Sequence, residues 1–304
     1  MQEKPVQEKP GQEKPGEEKK PVQEKIDLLT LRYKPQAGTL LYDVHTTIDQ
    51  HVTAGTSQLS GRLNSSAQVA FHNVAIDYKA NLWSFDRYFT LFTLSGRQFN
   101  GDTLSLKENA ATNRVTRLTY QMTGEEIHRE VIDTMKLLNT EAQTHFYFFQ
   151  PPRMLVPLPQ HLVKYGDTWS DTRIDTIHVY DTINTGITTG EYIYKVDRIY
   201  SLVRLDDTLG QHLAVIVASD TGNFSGEQSN TATGLAIKAH GPISGFDTTY
   251  LDLFSGRVVR RTTNMRIPAT VEADNTTPFS DALEVRSVVV LNESNALQIK
   301  NGEE

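Results

Sequence analysis

The chain has 304 residues, 38% of them hydrophobic and 22% charged, with a net charge of −7 and no cysteine. That length holds one large domain or two of ordinary size. The lack of cysteine excludes a disulfide scaffold, thiolate metal sites and cysteine nucleophiles, and the acidic balance speaks against a broad phosphate-binding surface.

In chain order, the first element is a pentapeptide array over residues 1–25, MQEKP-VQEKP-GQEKP followed by the degenerate GEEKK and PVQEK. Its six lysines and six glutamates cancel, and with almost nothing apolar it cannot offset the entropy of ordering. A proline at nearly every fifth position favours extended states of at most roughly 75 Å, at about 3.1 Å per residue. Two readings stand for this expected disordered tail: a spacer, or an inert low-complexity tail or expression remnant. The opening Met1-Gln2-Glu3-Lys4-Pro5 lacks the apolar core of a signal peptide, and no apolar run approaches the ~20 residues of a membrane-spanning helix.

From Ile26 onward the sequence reads as β structure. Threonine is abundant, at 34 residues, and clusters with Val, Ile, Tyr and Phe, as strands prefer. Strands are expected over Thr39–Val52, Val69–Tyr78, Tyr88–Leu94, Val115–Met122, Thr176–Tyr180, Tyr192–Leu205, Leu213–Val217, Thr248–Phe254 and Leu283–Leu291. Glycine-containing breaks separate them. Glu125–Leu138 carries apolar residues at 127, 131, 135 and 138, a spacing compatible with a helix, but it also alternates and is read as strand. A short helix near Asn139–Phe149 is the other helical candidate. Gln150–Pro159 holds four prolines interleaved with Met154, Leu155, Val156 and Leu158, so it is read as an extended crossover packed along the body.

Comparing the two halves gives three landmarks in the same order. Lys34–Thr39 matches Lys164–Trp169, Ser95–Gly101 matches Thr221–Gly226, and Leu118–Gly124 matches Tyr250–Gly256. They predict two similar antiparallel β units, 26–150 and 151–304, that share an interface. The expected fold is therefore mostly β, a curved sheet or half-barrel with a few short helices.

Searches for chemistry return little. There is no phosphate-binding glycine loop and no centred nucleophile elbow. Ser225 and Ser244 read as turn serines. The nine histidines form no H-E-x-x-H or H-x-H, and His45, His51, Asp43 and Asp49 on one strand face are better explained as polar surface than as a metal site. Trp83 and Trp169 read as core residues at strand ends. The expectation is no enzyme, no cofactor, no metal and no nucleic-acid partner.

Three motifs carry a resemblance: Leu31-Arg32-Tyr33-Lys34-Pro35 with Gly38 and Tyr42; Pro157-Leu158-Pro159 with Val163, Lys164, Gly166, Asp167, Thr168 and Trp169; and Gly241, Gly245, Phe246-Asp247, Gly256 and Met265. In these the chain resembles a family of bacterial envelope proteins, many of them lipoproteins. The resemblance implies a curved antiparallel sheet of the LolA/LppX sort, whose concave face can hold acyl chains, and a periplasmic, outer-membrane-associated or extracellular location. The chain departs from the lipoprotein pattern in having no cysteine to acylate. The resulting functional expectation is a non-enzymatic envelope or secreted protein that binds a lipid or other apolar ligand. The alternative is a structural protein that self-associates or joins an envelope partner through its β units. By alternation, Val69, Phe71, Leu118, Tyr120, Leu251 and Leu253 are the expected ligand-binding residues.

Overall fold

The computed structural model describes residues 28–98, 100–109, 115–131, 155–181, 187–208, 211–274 and 276–292. The expected disordered tail and the helix candidate near Asn139–Phe149 lie outside these residues. Twelve strands are present: β1 Thr39–Ala54, β2 Ser57–Asp77, β3 Leu82–Arg97, β4 Thr103–Asn109, β5 Thr116–Gln121, β6 Glu126–Val131, β7 Thr168–Asp181, β8 Thr188–Thr208, β9 Gln211–Asn230, β10 Ala236–Asp252, β11 Arg257–Ala273 and β12 Phe279–Leu291. All described pairings are antiparallel. Glu126–Val131 is strand, as alternation suggested. The expected short helices are not found among the described residues, which contain no helix at all.

The strands form one sheet in the order β6-β5-β3-β2-β1-β12-β11-β10-β9-β8-β7, with β4 paired to the far part of β3. The first half of the chain thus supplies one side and the second half the other. They join where β1 pairs with β12, from Tyr42 opposite Leu291 to Thr53 opposite Ser280. Laid flat, eleven strands about 4.8 Å apart would set the outer edges ~48 Å from one another. Yet Asp175 on β7 lies within electrostatic reach of Arg129 on β6. The sheet therefore curls until its two edges approach.

Glycines on the inner face allow that curl. A Cβ added to Gly222 would lie 2.0 Å from the carbonyl oxygen of Lys195 on β8, and one added to Gly226 would lie 2.4 Å from that of Glu191. Gly241 and Gly245 of β10 are equally tight against β11, at 2.0 Å and 2.6 Å. Glycine kinks of this sort are how curvature enters a β sheet. Gly222→Ala is expected to destabilise the fold by about 1–3 kcal/mol, which a urea unfolding midpoint will read.

Alternation separates the two faces. Along β10 the inward positions are Ile237, Ala239, Ile243, Asp247, Thr249 and Leu251, and the outward ones include Lys238, His240, Ser244 and Phe246. The inner face near the β1 N-terminus is a closed core. Leu31 and Tyr33 from the segment before β1, with Leu155, Val156, Leu158 and Val163 from the segment before β7, lie across it and pack with Val69, Phe71, Phe85, Leu118, Tyr200 and Leu251. The two segments are tied by Leu29 and Val163, whose backbones exchange hydrogen bonds of 2.7 and 2.9 Å. The Tyr33 hydroxyl donates to the Val156 carbonyl at 3.0 Å and accepts from its amide at 2.9 Å, and burial pushes that phenol well above its usual pKa. Both tryptophans join this core. Trp83 stacks on Tyr33, and Trp169 stacks on Tyr200 while donating to the Pro157 carbonyl at 2.7 Å.

A candidate apolar groove on the inner face

The covering segments reach across only part of the inner face. Beyond them lies a cavity of about 630 Å³, lined from β1, β8, β9, β10, β11 and β12, within the ~300–1,000 Å³ typical of small-molecule sites. The register lays its lining out in rows. Ile48 of β1 faces Val285 of β12, which faces Met265 of β11. One step further Leu283 faces Ile267, and near the hairpin tips Phe279 faces Val271, which faces Ala239. Tyr194 of β8 stacks on Phe224 of β9 at 5.5 Å. From Thr46 to Ala54 the groove spans eight residue steps, about 27 Å along the strand at roughly 3.4 Å per residue.

In the closed core the apolar side chains are nearly sealed, whereas Ile237, Met265, Ala269, Phe279, Leu283 and Val285 in the groove are only half-buried. Half-exposed aliphatic side chains gathered in one concavity are what an apolar ligand would cover.

The groove has a polar end. A single row crosses the sheet from β2 to β10: Ser65, Thr46, Ser287, Thr263 and Asp247, each directly opposite the next. Thr46 and Ser287 share a hydrogen bond of 3.0 Å. Asp247 ends the row in a buried ion pair with Arg261 at 2.5 Å, and a second buried pair, Arg198 with Asp220 at 3.0 Å, sits beside it. They lie between the closed core and the groove and are the largest concentration of buried charge among the described residues.

At the opposite end Asp281 is the one ionisable carboxyl in the lining. Gln50 Nε2 donates to both of its oxygens, at 3.1 and 2.9 Å. Burial pushes this carboxyl above the usual aspartate pKa, with the Gln50 bond opposing. A raised folded-state value means that ionising Asp281 costs stability. The cost is absent below the unfolded-chain value, about 3.9, and grows as pH rises through the folded-state value. Asp281→Asn is therefore expected to raise the melting temperature at neutral pH and to leave it unchanged near pH ~3, seen as a pH-dependent gap between the two melting curves.

The six residues expected from alternation lie elsewhere. Val69, Phe71, Leu118, Tyr120 and Leu251 belong to the closed core, Leu253 packs against it, and none of the six lines the groove. Tyr120 instead donates from its hydroxyl to Glu126 at 2.9 Å. The histidine–aspartate strand face is polar surface. His45 bonds Ser66 at 2.9 Å, and Asp49 is held by Arg62 at 2.5 Å and Arg286 at 3.3 Å, with Arg62 holding the Asp49 carboxyl below its usual range. Among the described residues no group of three or more His, Asp or Glu side chains is placed to bind a metal.

The outer face has the opposite character. Asp43, His45, Thr47 and Asp49 on β1, Arg62, Asn64 and Ser66 on β2, and Ser219, Thr221, Asn223 and Ser225 on β9 point outward. Exposed apolar side chains, Ile174, Ile193, Ile199, Phe246 and Val290 among them, interrupt this face. A membrane-spanning barrel carries an outward apolar band about 25 Å tall and a polar interior; here the polarity is reversed. No helix among the described residues is long and apolar enough to cross a membrane.

No family model matches the chain, and no curated protein does. Some solved structures share a weak likeness. They include OccK2 (OpdF) of Pseudomonas aeruginosa in complex with glucuronate, at 7% identity and a TM-score of 0.25, covering 84% of this chain and 100% of that one. OccAB2 of Acinetobacter baumannii, at 8% and 0.26, covers 84% and 98%. The COG4313 outer membrane channel of Pseudomonas putida F1, at 8% and 0.26, covers 88% and 100%. At such TM-scores the likeness carries no conclusion about what this chain does.

Proposed function

We propose that this protein is a non-enzymatic binder of a lipid or other apolar ligand, working in the bacterial envelope on the aqueous side of a membrane. The observation that carries the reading is the half-buried aliphatic and aromatic lining of the groove, set in a sheet whose outer face is polar. Each methylene moved from water into such a lining gains about 0.8 kcal/mol before ordering costs are subtracted. A groove about 27 Å long along its strands exceeds the ~15 Å that one leaflet contributes to a bilayer's roughly 30 Å hydrocarbon core, so a whole acyl chain has room. The envelope location rests on the Tyr33-Lys34-Pro35 and Lys164–Trp169 motifs and their resemblance to a family of bacterial envelope proteins.

The body is further inferred to be a duplication. In its support, Gly38 and Gly166 precede the first strand of each half, Gly124 and Gly256 sit in turns that correspond once β4, which lies off the main strand path, is left out, and all four have positive φ, at 102°, 87°, 85° and 65°. A second functional reading, self-association, draws on one feature: β6 and β7 end the described strand order, and an edge strand can accept another strand.

The test is saturable binding of an uncharged apolar dye, N-phenyl-1-naphthylamine, to delipidated folded protein, together with the mass in solution. Fluorescence that saturates and is displaced by long-chain amphiphiles supports the carrier reading. No binding by a folded sample that runs as a dimer or larger would transfer support to self-association.

A further inference from the structure

The chemistry of the groove's two ends narrows the ligand class, given that the groove binds amphiphiles as proposed above. Thr263 lines the groove, is only 7% exposed, and its buried Oγ1 has no hydrogen-bond partner. A buried hydroxyl without a partner is a standing cost that a ligand's polar group would relieve. Thr46 and Ser287, next along the row, bond each other, and each hydroxyl oxygen keeps acceptor capacity. Asp247, directly opposite Thr263, has Oδ2 on Arg261 while its buried Oδ1 has no partner. The polar end of the groove thus offers hydroxyls, with the Asp247 carboxylate beside Thr263 on the next strand. No lysine, arginine or histidine lines the groove, and its one carboxyl is that of Asp281 at the far end. An anionic head would meet no cation there, and its desolvation would go uncompensated.

We propose that the ligand is a single-chain amphiphile with an uncharged, hydroxyl-bearing head, seated with its head on the Thr46–Ser287–Thr263 row and its tail running toward Phe279. The head hydroxyls exchange hydrogen bonds with Thr263 and with the Thr46–Ser287 pair. The two ion pairs are internally neutral, so they demand no charge from the ligand.

The experiment displaces the bound dye with three C12 amphiphiles below their micelle concentrations: 1-monolauroylglycerol, laurate and dodecylammonium. Monolauroylglycerol is expected to displace at about tenfold lower concentration than laurate, the worth of about one hydrogen bond plus the avoided desolvation of an anion. Thr263→Val should remove most of that advantage and keep or raise the melting temperature. Laurate binding as well as or better than the glyceride would overturn the assignment, as would equal loss of all three ligands in Thr263→Val, because water alone would then serve the row. Dodecylammonium binding tightest would also overturn it and make Asp281 the head's partner. If the dye itself fails to bind, the groove reading falls with it; dye binding without glyceride preference removes only the head-group assignment.

Discussion

Arg261→Met alone is expected to lower stability by about 3–5 kcal/mol, read from urea denaturation followed by intrinsic fluorescence. Arg261 is 0% exposed and Asp247 1%, so removing the guanidinium leaves a carboxylate in a nearly water-free place. Breaking one side of a buried ion pair has about that cost, whereas replacing both partners by apolar groups of similar volume is often neutral or stabilising. Arg261→Met combined with Asp247→Leu should therefore recover much of the loss. The same double variant removes the acceptor opposite Thr263, so it separates what the pair does for folding from what it does for the groove. A single variant as stable as the double would mean that Asp247 is solvated and that the charged belt is open to water.

The second large effect is expected at Ala269. Its small side chain faces into the groove opposite Asp281 and is half-buried, with space before it. Ala269→Trp should plug the Asp281 end of the groove, where the tail runs, and weaken dye binding by about 100-fold or more, while moving stability by no more than about 1 kcal/mol, because the indole fills existing space instead of displacing packed atoms. Titration of the dye and thermal unfolding of the same sample give the two numbers. Leu253→Arg makes the contrast. Leu253 packs on the closed core, so a charge there should act on stability. Unchanged dye affinity in folded Ala269→Trp would remove the groove as the binding site.

The strands that the sequence announces and those it hides differ in chemistry. Val69–Phe71, Leu213–Val217 and Leu283–Leu291 are dense in β-branched and aromatic residues, and they were legible because such residues suit a pleated surface. The far part of β9, Ser219–Asn230, and the first part of β10, Ala236–Phe246, are rich in Gly, Ser, Asn and Gln. They read as breaks between strands. Those segments form the groove wall, and their glycines are what the tight inner curve requires. Alternation therefore found the inward face but led to its sealed end, since Val69, Phe71 and Leu251 are apolar whether or not something covers them. That Leu31, Tyr33, Leu155 and Val156 would lie over that end is a tertiary fact with no local signal beyond the apolar residues among the prolines. The row from Ser65 to Asp247 was equally hidden. It is assembled from five strands by register alone, and no stretch of sequence contains it.

The pairing of β1 with β12 also fixes an order of events in the life of the chain. Thr46 bonds Ser287 across 241 positions, so the middle of the sheet stays unmade until β12 has been synthesised. At about 5–20 residues per second, β1 waits roughly 12–50 s on the ribosome for its partner. The equilibrium cost of closing so long a loop rises only as the logarithm of its length, so the burden falls on rate, and non-local pairing of this kind places the chain among slow folders. Throughout that interval the β1 edge and the apolar side of β2 and β3 stand uncovered. The nascent first half is the form of this protein most in need of a chaperone.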